Sequence, residues 1–216
     1  MYPQTLYPKT REVLEKIKGL PILENFYLAG GTALSLQLGH RKSVDLDFFT
    51  PNFPKRDILI SSLKQFEPTI AQEAEGTLDL LISNVKVSFL QYKYPLLEEN
   101  EVFESVKMAC VLDIACMKLS AVSSRGSKKD FYDLYFILKN MALSDLFEAF
   151  EKKFEGVKYQ KVHMLKSLVF FEDADKDPTP DLIAEVSWED IKSTLEKEVK
   201  NLGASASVMD FLFGNK

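Results

Sequence analysis

Apolar and polar positions repeat with two periods along this chain, and the change between them marks its organisation. Near the start, Val13, Leu14 and Ile17 recur at helical spacing over residues 10–18, and Gly19 with Pro21 ends that helix. Residues 26–29 read as a short strand. After Gly30-Gly31, the residues Ala33, Leu34, Leu36 and Leu38 predict a short buried helix over 32–38. Residues 43–49 then alternate, with Val44, Leu46 and Phe48 on one face and Asp45, Asp47 and Phe49 on the other. Pro54 opens a second amphipathic helix carrying Ile58, Leu59, Ser62, Leu63 and Phe66, which Pro68 closes. Two apolar runs, 78–82 and 85–90, flank Ser83-Asn84 and predict a hairpin. The first ~95 residues therefore read as a small α/β unit around a mixed sheet, since strand-period and helix-period segments interleave.

From about Val111 onward nearly every segment has helical period. Helices are predicted over 113–123, 130–139, 144–154, 161–171 and 187–202, with Ser144 and Ser187 as N-caps. Gly126 lies in a loop, as does the DPTPD run at 177–181. The division predicted is an α/β domain over 1–100 and a helical domain over 101–216, together an α+β chain.

Composition narrows the class. Of the 216 residues 46% are hydrophobic, enough for a sizeable core rather than disorder, and the net charge of −5 argues against coating nucleic acid by bulk electrostatics. A nucleic-acid partner would need a local basic patch. The two cysteines, Cys110 and Cys116, have neither zinc-site nor disulfide-framework spacing and read as packed thiols in a reducing cytosol. The N-terminal run alternates charged and apolar residues, unlike a signal peptide, and no apolar run reaches the ~18 residues that span a bilayer. The expectation is a cytoplasmic protein without a membrane partner.

Three clusters carry candidate chemistry. Asp45 and Asp47 share a strand face, so their carboxylates can converge on a hard cation such as Mg²⁺, which takes one or two carboxylates plus substrate phosphates. The apolar neighbours Val44, Leu46, Phe48 and Phe49 make this a central strand, where two ionised carboxylates need a positive partner. Gly30-Gly31-Thr32, between a strand and a helix, brings backbone close to a phosphate at a helix N-terminus, and Thr32 adds a hydroxyl. It is neither a Walker A loop nor a dinucleotide fingerprint. His40-Arg41 adds positive charge before the strand; His40 has no second histidine or cysteine nearby to suggest a metal site. The third cluster is KLSAVSSRGSKKDFYDLYFIL. Here Lys118 is expected on the polar side of its helix, Arg125, Lys128 and Lys129 fill the following loop, and Asp130 and Asp133 begin the next helix one turn apart. Solvated charge at helix ends would explain the loop residues equally well.

The combination of LAGGTALSLQLGHRKSVDLDFF with KLSAVSSRGSKKDFYDLYFIL resembles the AbiEii/AbiGii toxin family, nucleotidyltransferase-like proteins of type IV toxin–antitoxin and phage-abortive systems. The later stretch LVFFEDADKDPTPDL followed by SW is similar to that family's helical part, so the resemblance runs from about residue 10 to about 200. It implies a polymerase-β-like nucleotidyltransferase fold with a mixed sheet in the N-terminal part and a helical C-terminal part. It implies that Gly30, Gly31 and Thr32, with Arg41 nearby, hold an NTP, GTP among the candidates, and that Asp45 and Asp47 bind one or two Mg²⁺ ions. Lys118 would contact the nucleotide phosphates, and Asp130 and Asp133 would be second-motif acids. Arg125, Lys128 and Lys129 would guide an RNA acceptor or the nucleotide. Relatives transfer a nucleotide to an acceptor, in some cases the 3′ end of tRNA. The antitoxin is expected to be encoded next door and to act without stable direct contact.

One departure stands out. Related enzymes often carry a third carboxylate on a later strand facing the aspartate pair. In VKVSFLQ the residues Val85, Val87 and Phe89 define the buried face, leaving Ser88 at that position. The expectation is that Asp130 takes the third-carboxylate role. Two alternatives stay open at this level: a degenerate nucleotide-binding module, and a nucleotide-sugar glycosyltransferase using the same aspartate pair.

Overall fold

The computed structural model describes residues 1–202. Its contacts divide the chain into two compact units, Met1–Ile114 and a second that begins at Ala115.

The first unit opens with a single 3₁₀ turn and α1 (Pro8–Ile17), whose Val13, Leu14 and Ile17 are buried as their spacing requires. β1 (Tyr27–Ala29) runs directly into α2 (Gly30–Leu38), and β2 (Leu46–Thr50) follows. After α3 (Arg56–Leu63) come β3 (Thr69–Ala74), β4 (Thr77–Ile82), β5 (Val85–Gln91), β6 (Glu101–Phe103) and β7 (Val106–Met108). They form one seven-stranded sheet in the order β3-β4-β5-β2-β1-β7-β6. β1 pairs antiparallel with β2, whereas β2–β5 and β1–β7 pair parallel, so the sheet is mixed. The hairpin β6–β7 joins the sheet, which carries the first unit past residue 100.

β2 is central, as its apolar residues predict. Leu46, Phe48 and Thr50 are buried on one face beside Val87 and Phe89 of β5. Phe48 stacks on Phe89 at 5.6 Å, and Phe26 meets the same ring edge-on at 5.2 Å. Burying each such aromatic contributes about 1.5–3 kcal/mol. The strand is shorter than the alternation suggests. It starts at Leu46, and Val44 is exposed because residues 43–45 are a crossing segment tied down by the Thr10 hydroxyl on the Val44 carbonyl. Ser83 and Asn84, both at positive φ, make the predicted β4–β5 turn.

α4 (Val111–Ser124) begins in the first unit and runs into the second. It is followed by α5 (Lys128–Leu138), α6 (Leu143–Lys153), α7 (Lys161–Ser167) and α8 (Trp188–Asn201). Ser187 caps α8 as predicted, its hydroxyl accepting from the Asp190 amide at 3.0 Å. Ser144 is not a cap: α6 starts one residue earlier, at Leu143, with Ala142 in the N-cap position. α7 is shorter than its apolar pattern suggested, ending at Ser167. The core of this unit gathers Phe131, Phe171 and Trp188 with ring centroids 5.3–5.8 Å apart, and Tyr132 stacks on Trp188 at 5.7 Å. No helix of the described residues is long and apolar enough to cross a membrane.

Candidate active site

The predicted residues fall into two groups, one in each compact unit. In the first, the β1–α2 junction brings together Gly30, Gly31, Thr32, Arg41, Asp45 and Asp47. Ala29 pairs with Asp47 across β1–β2, so Asp47 lies beside the start of α2. Gly30 has φ +70°, and a Cβ there would stand 2.7 Å from Asp47 Oδ2. Its missing side chain is what admits the carboxylate. A Cβ on Gly31 would stand 2.5 Å from an Arg41 guanidinium nitrogen, so the second glycine admits the cation. The two glycines thus serve different partners, one a carboxylate and one a guanidinium, at a helix N-terminus that presents unpaired amides and partial positive charge. Arg41 is buried, and one of its terminal nitrogens also donates to the Lys42 carbonyl at 3.0 Å.

Thr32 occupies this junction differently from the expectation. It is buried, its hydroxyl lies 2.8 Å from that of Ser43, and it donates to the Asp45 carbonyl. Those bonds fix the segment that places Asp45 just ahead of β2. The Thr32 hydroxyl is a tether for the aspartate backbone, not a group presented to phosphate.

The sheet register reveals more. Ala29, Asp47, Ser88 and Asp79 lie in one row across β1, β2, β5 and β4. Ser88 does face the aspartate strand, but a carboxylate stands one strand further on, roughly 10 Å from Asp47 at the backbone. Asp79 is buried and pairs with Lys86 Nζ at 2.8 Å. The Lys86 ammonium is held above its ordinary pKa by that hydrogen bond, and by the charges of Asp79, Asp45 and Asp47, against some desolvation. Sequence reasoning missed both residues. The alternation of TLDLLI with VKVSFLQ, once the hairpin is placed, would have put Asp79 opposite Ser88.

Among the described residues no three His, Cys, Asp or Glu side chains converge into a metal cage. The charges of Asp45 and Asp47 both act on the Lys86 ammonium, so these two carboxylates share a neighbourhood. Such a pair is donor chemistry suited to a hard divalent ion that takes its other oxygens from phosphate and water.

The second group is a buried network. Lys118 Nζ reaches Asp130 Oδ1 at 2.9 Å and Asp133 Oδ2 at 2.6 Å; Lys118 is only 5% exposed, and both acids are 0% exposed. Arg125 adds a fork onto Asp130, Nε at 2.8 Å and a terminal nitrogen at 3.0 Å, and the Ser127 hydroxyl donates to the same carboxylate at 3.0 Å. Burial pushes the Asp130 carboxyl up, but the charge of Lys118 and the hydrogen bonds from Arg125 and Lys118 outweigh it and hold the group below the usual carboxylate range. Two expectations change. The side of α4 that carries Lys118 is not a solvated face, because α5 supplies two acids to it. Asp130 has both oxygens engaged with cations and no exposed surface, which fits a holder of Lys118 and Arg125 rather than a base or metal ligand.

Lys128 is also spoken for. Its ammonium donates to the Asp177 carbonyl at 2.7 Å and lies over the Trp188 ring at 5.4 Å, so it fastens the 175–177 loop and does not reach out to phosphate. Lys129 is exposed.

A mixed sheet bearing this Gly-Gly junction and aspartate strand, followed by helices, is the architecture of a nucleotidyltransferase. Solved structures agree on the fold. JHP933 from Helicobacter pylori aligns over 96% of this chain and 94% of its own at 19% identity, TM-score 0.56. MenT4, nucleotidyltransferase toxin Rv2826c from Mycobacterium tuberculosis H37Rv, aligns over 92% and 85% at 14% identity, TM-score 0.59. The chain belongs to the nucleotidyl transferase AbiEii toxin family of type IV toxin–antitoxin systems, whose profile matches residues 13–96 and 82–210. Uncharacterized protein aq_aa25 of Aquifex aeolicus (strain VF5) is 39% identical over 204 residues, 90% of this chain and 96% of that one. The protein is a nucleotidyltransferase, which sets aside the sugar-nucleotide alternative.

Proposed function

We propose that this protein transfers a nucleoside monophosphate from an NTP to an RNA acceptor, the 3′ end of tRNA in the first instance, and so arrests growth in the cytoplasm of its host. The observation that carries the reading is the β1–α2 junction, where two adjacent glycines admit a carboxylate and a guanidinium at one helix N-terminus. That is a charge pattern for a triphosphate accompanied by a cation. In this reading the Gly30-Gly31 amides and Arg41 hold phosphate oxygens, and Thr32 positions Asp45. Asp45 and Asp47 would hold Mg²⁺, which when bound neutralises triphosphate charge and stabilises the departing pyrophosphate. Lys86 pairs with Asp79 beside that strand. In the helical unit Asp130 and Asp133 fix Lys118, and Asp130 orients Arg125, whose side chain stays 58% exposed and would meet phosphates. Membership of a type IV family implies an antitoxin partner; we place its gene next to this one and expect it to act without a stable complex. GTP is the first nucleotide to try.

The test incubates the protein with each of the four NTPs labelled at the α-phosphate, Mg²⁺ and total tRNA. Label on tRNA with wild type and none with Asp47→Ala supports the proposal. Equal labelling by both proteins sinks it, as does NTP binding with no product, which would favour the degenerate-module alternative.

A further inference from the structure

The helical unit carries a cleft of about 480 Å³ between the C-terminal end of α4 and the segment from α7 to Asp173. That volume is of the size that holds a nucleotide-sized ligand. Arg125, His163 and Lys166 line it, with Ser123 and Phe170. Phe170 is 55% exposed, while its neighbour Phe171 is buried against Phe131 and Trp188. The consecutive phenylalanines therefore part, one into the core and one to the cleft. The one acid among the lining residues, Asp173, has its own cation in Lys176 at 3.4 Å. Arg125 is already set in place by the Asp130 carboxylate, so little freedom would be lost when it meets an anion. Ser123 Oγ is buried without a hydrogen-bond partner.

In a chain of net charge −5, an exposed aromatic ring framed by cations is the combination that binds single-stranded nucleic acid, the ring stacking a base and the cations meeting the backbone. We infer that this cleft is a subsite for an unpaired RNA strand, with Phe170 stacking one base and Arg125, Lys166 and His163 meeting the flanking phosphates. A free mononucleotide shares this chemistry but supplies only one base and one phosphate group. The inference rests on the RNA-acceptor reading and adds where the acceptor is gripped.

The experiment uses the full chain and a 5′-fluorescein 12-nucleotide unstructured RNA, read by anisotropy without NTP across a salt series. Phe170→Ala is expected to weaken binding about tenfold, the loss of one stacked base. Lys166→Gln is expected to reduce the slope of log affinity against log salt by about 0.7, one phosphate contact on a single strand. The slope is a quantity that a merely structural role would leave unchanged. A duplex of the same sequence, and GMP as competitor, should each bind at least about tenfold more weakly than the strand. Both variants within twofold of wild type in affinity and slope would overturn the subsite, and so would GMP displacing the strand at matching concentration. Asp47→Asn separates the two readings. Retained strand binding that still depends on Phe170, with transfer lost, supports both. If wild type labels no RNA yet binds the strand through Phe170, the acceptor reading fails and the subsite stands. If wild type, Phe170→Ala and Lys166→Gln all bind and label RNA alike, the subsite fails and the transfer reading stands.

Discussion

Lys118→Met removes the cation shared by two buried carboxylates, and its cost follows from the geometry. The substitution keeps the length of the side chain and deletes the charge. Asp130 retains its fork from Arg125, but Asp133 loses an ammonium that stood at 2.6 Å. Breaking a buried pair by removing one partner costs about 3–5 kcal/mol, because a carboxylate without exposed surface is left poorly compensated. If the whole chain unfolds as one, its size sets about 2 °C per kcal/mol, so the midpoint should fall by about 6–10 °C. The measurement is thermal unfolding by circular dichroism of four proteins: wild type, Lys118→Met, Asp130→Asn/Asp133→Asn, and the triple variant. Removing the stranded charges should recover stability, leaving the triple variant at least about 4 °C above Lys118→Met while nucleotidyl transfer stays lost. A Lys118→Met midpoint within 2 °C of wild type would refute the reasoning. Strictly additive losses in the triple variant would refute it as well, since they would mean that the three charges do not act as a unit.

Other consequences are as direct. Asp130 has a folded pKa below its unfolded value, so the stability it contributes is present above pH about 4 and is lost as pH falls through the lower folded value. The difference in unfolding free energy between wild type and Asp130→Asn, measured by urea titration, should therefore be constant from pH 7 to 5 and shrink below pH 4. Gly30→Ala forces a left-handed backbone onto alanine and drives its Cβ into Asp47, so it should lose about 1–2 kcal/mol in the same titration and nearly all transfer activity. The Cys110 thiol is pushed up to about 12 by burial, with the Asp113 and Glu98 carboxylates adding to the rise, and Cys116 is buried. Neither should react with a thiol reagent at pH 8 within minutes until denaturant is added, which mass spectrometry would show.

β2 was legible because Leu46, Phe48 and the intervening Asp47 alternate at strand period, and the β4–β5 hairpin because Ser83-Asn84 tolerates positive φ. The glycine junction was legible as a close-approach turn at a helix N-terminus. Which glycine served which partner was not, since Asp47 and Arg41 reach it from elsewhere in the chain. β3 escaped notice because none of its residues is buried, so only pairing with β4 defines it. β6 and β7 are three residues each, joined by Glu104-Ser105 at positive φ without the Asn-Gly or Asp-Gly signature. Periodicity placed Lys118 on a polar face, and a polar face is usually wet. Here it is dry because Asp130 and Asp133, twelve and fifteen positions on, come to it from α5. Asp79 was hidden for the same reason: its relation to Asp47 runs through Ser88 and exists only once three strands are in register.

The transfer proposed above would run at the site around Gly30, Gly31, Asp45 and Asp47. Intact-mass spectrometry of the RNA after reaction with unlabelled NTP, with pyrophosphate assayed in the same tube, tests it most directly. The RNA should gain one or more nucleoside monophosphates, with one pyrophosphate released per monophosphate added. Folded Asp47→Asn should give neither. A gain of a single phosphate, pyrophosphate without RNA gain, or an undiminished product from Asp47→Asn would contradict it.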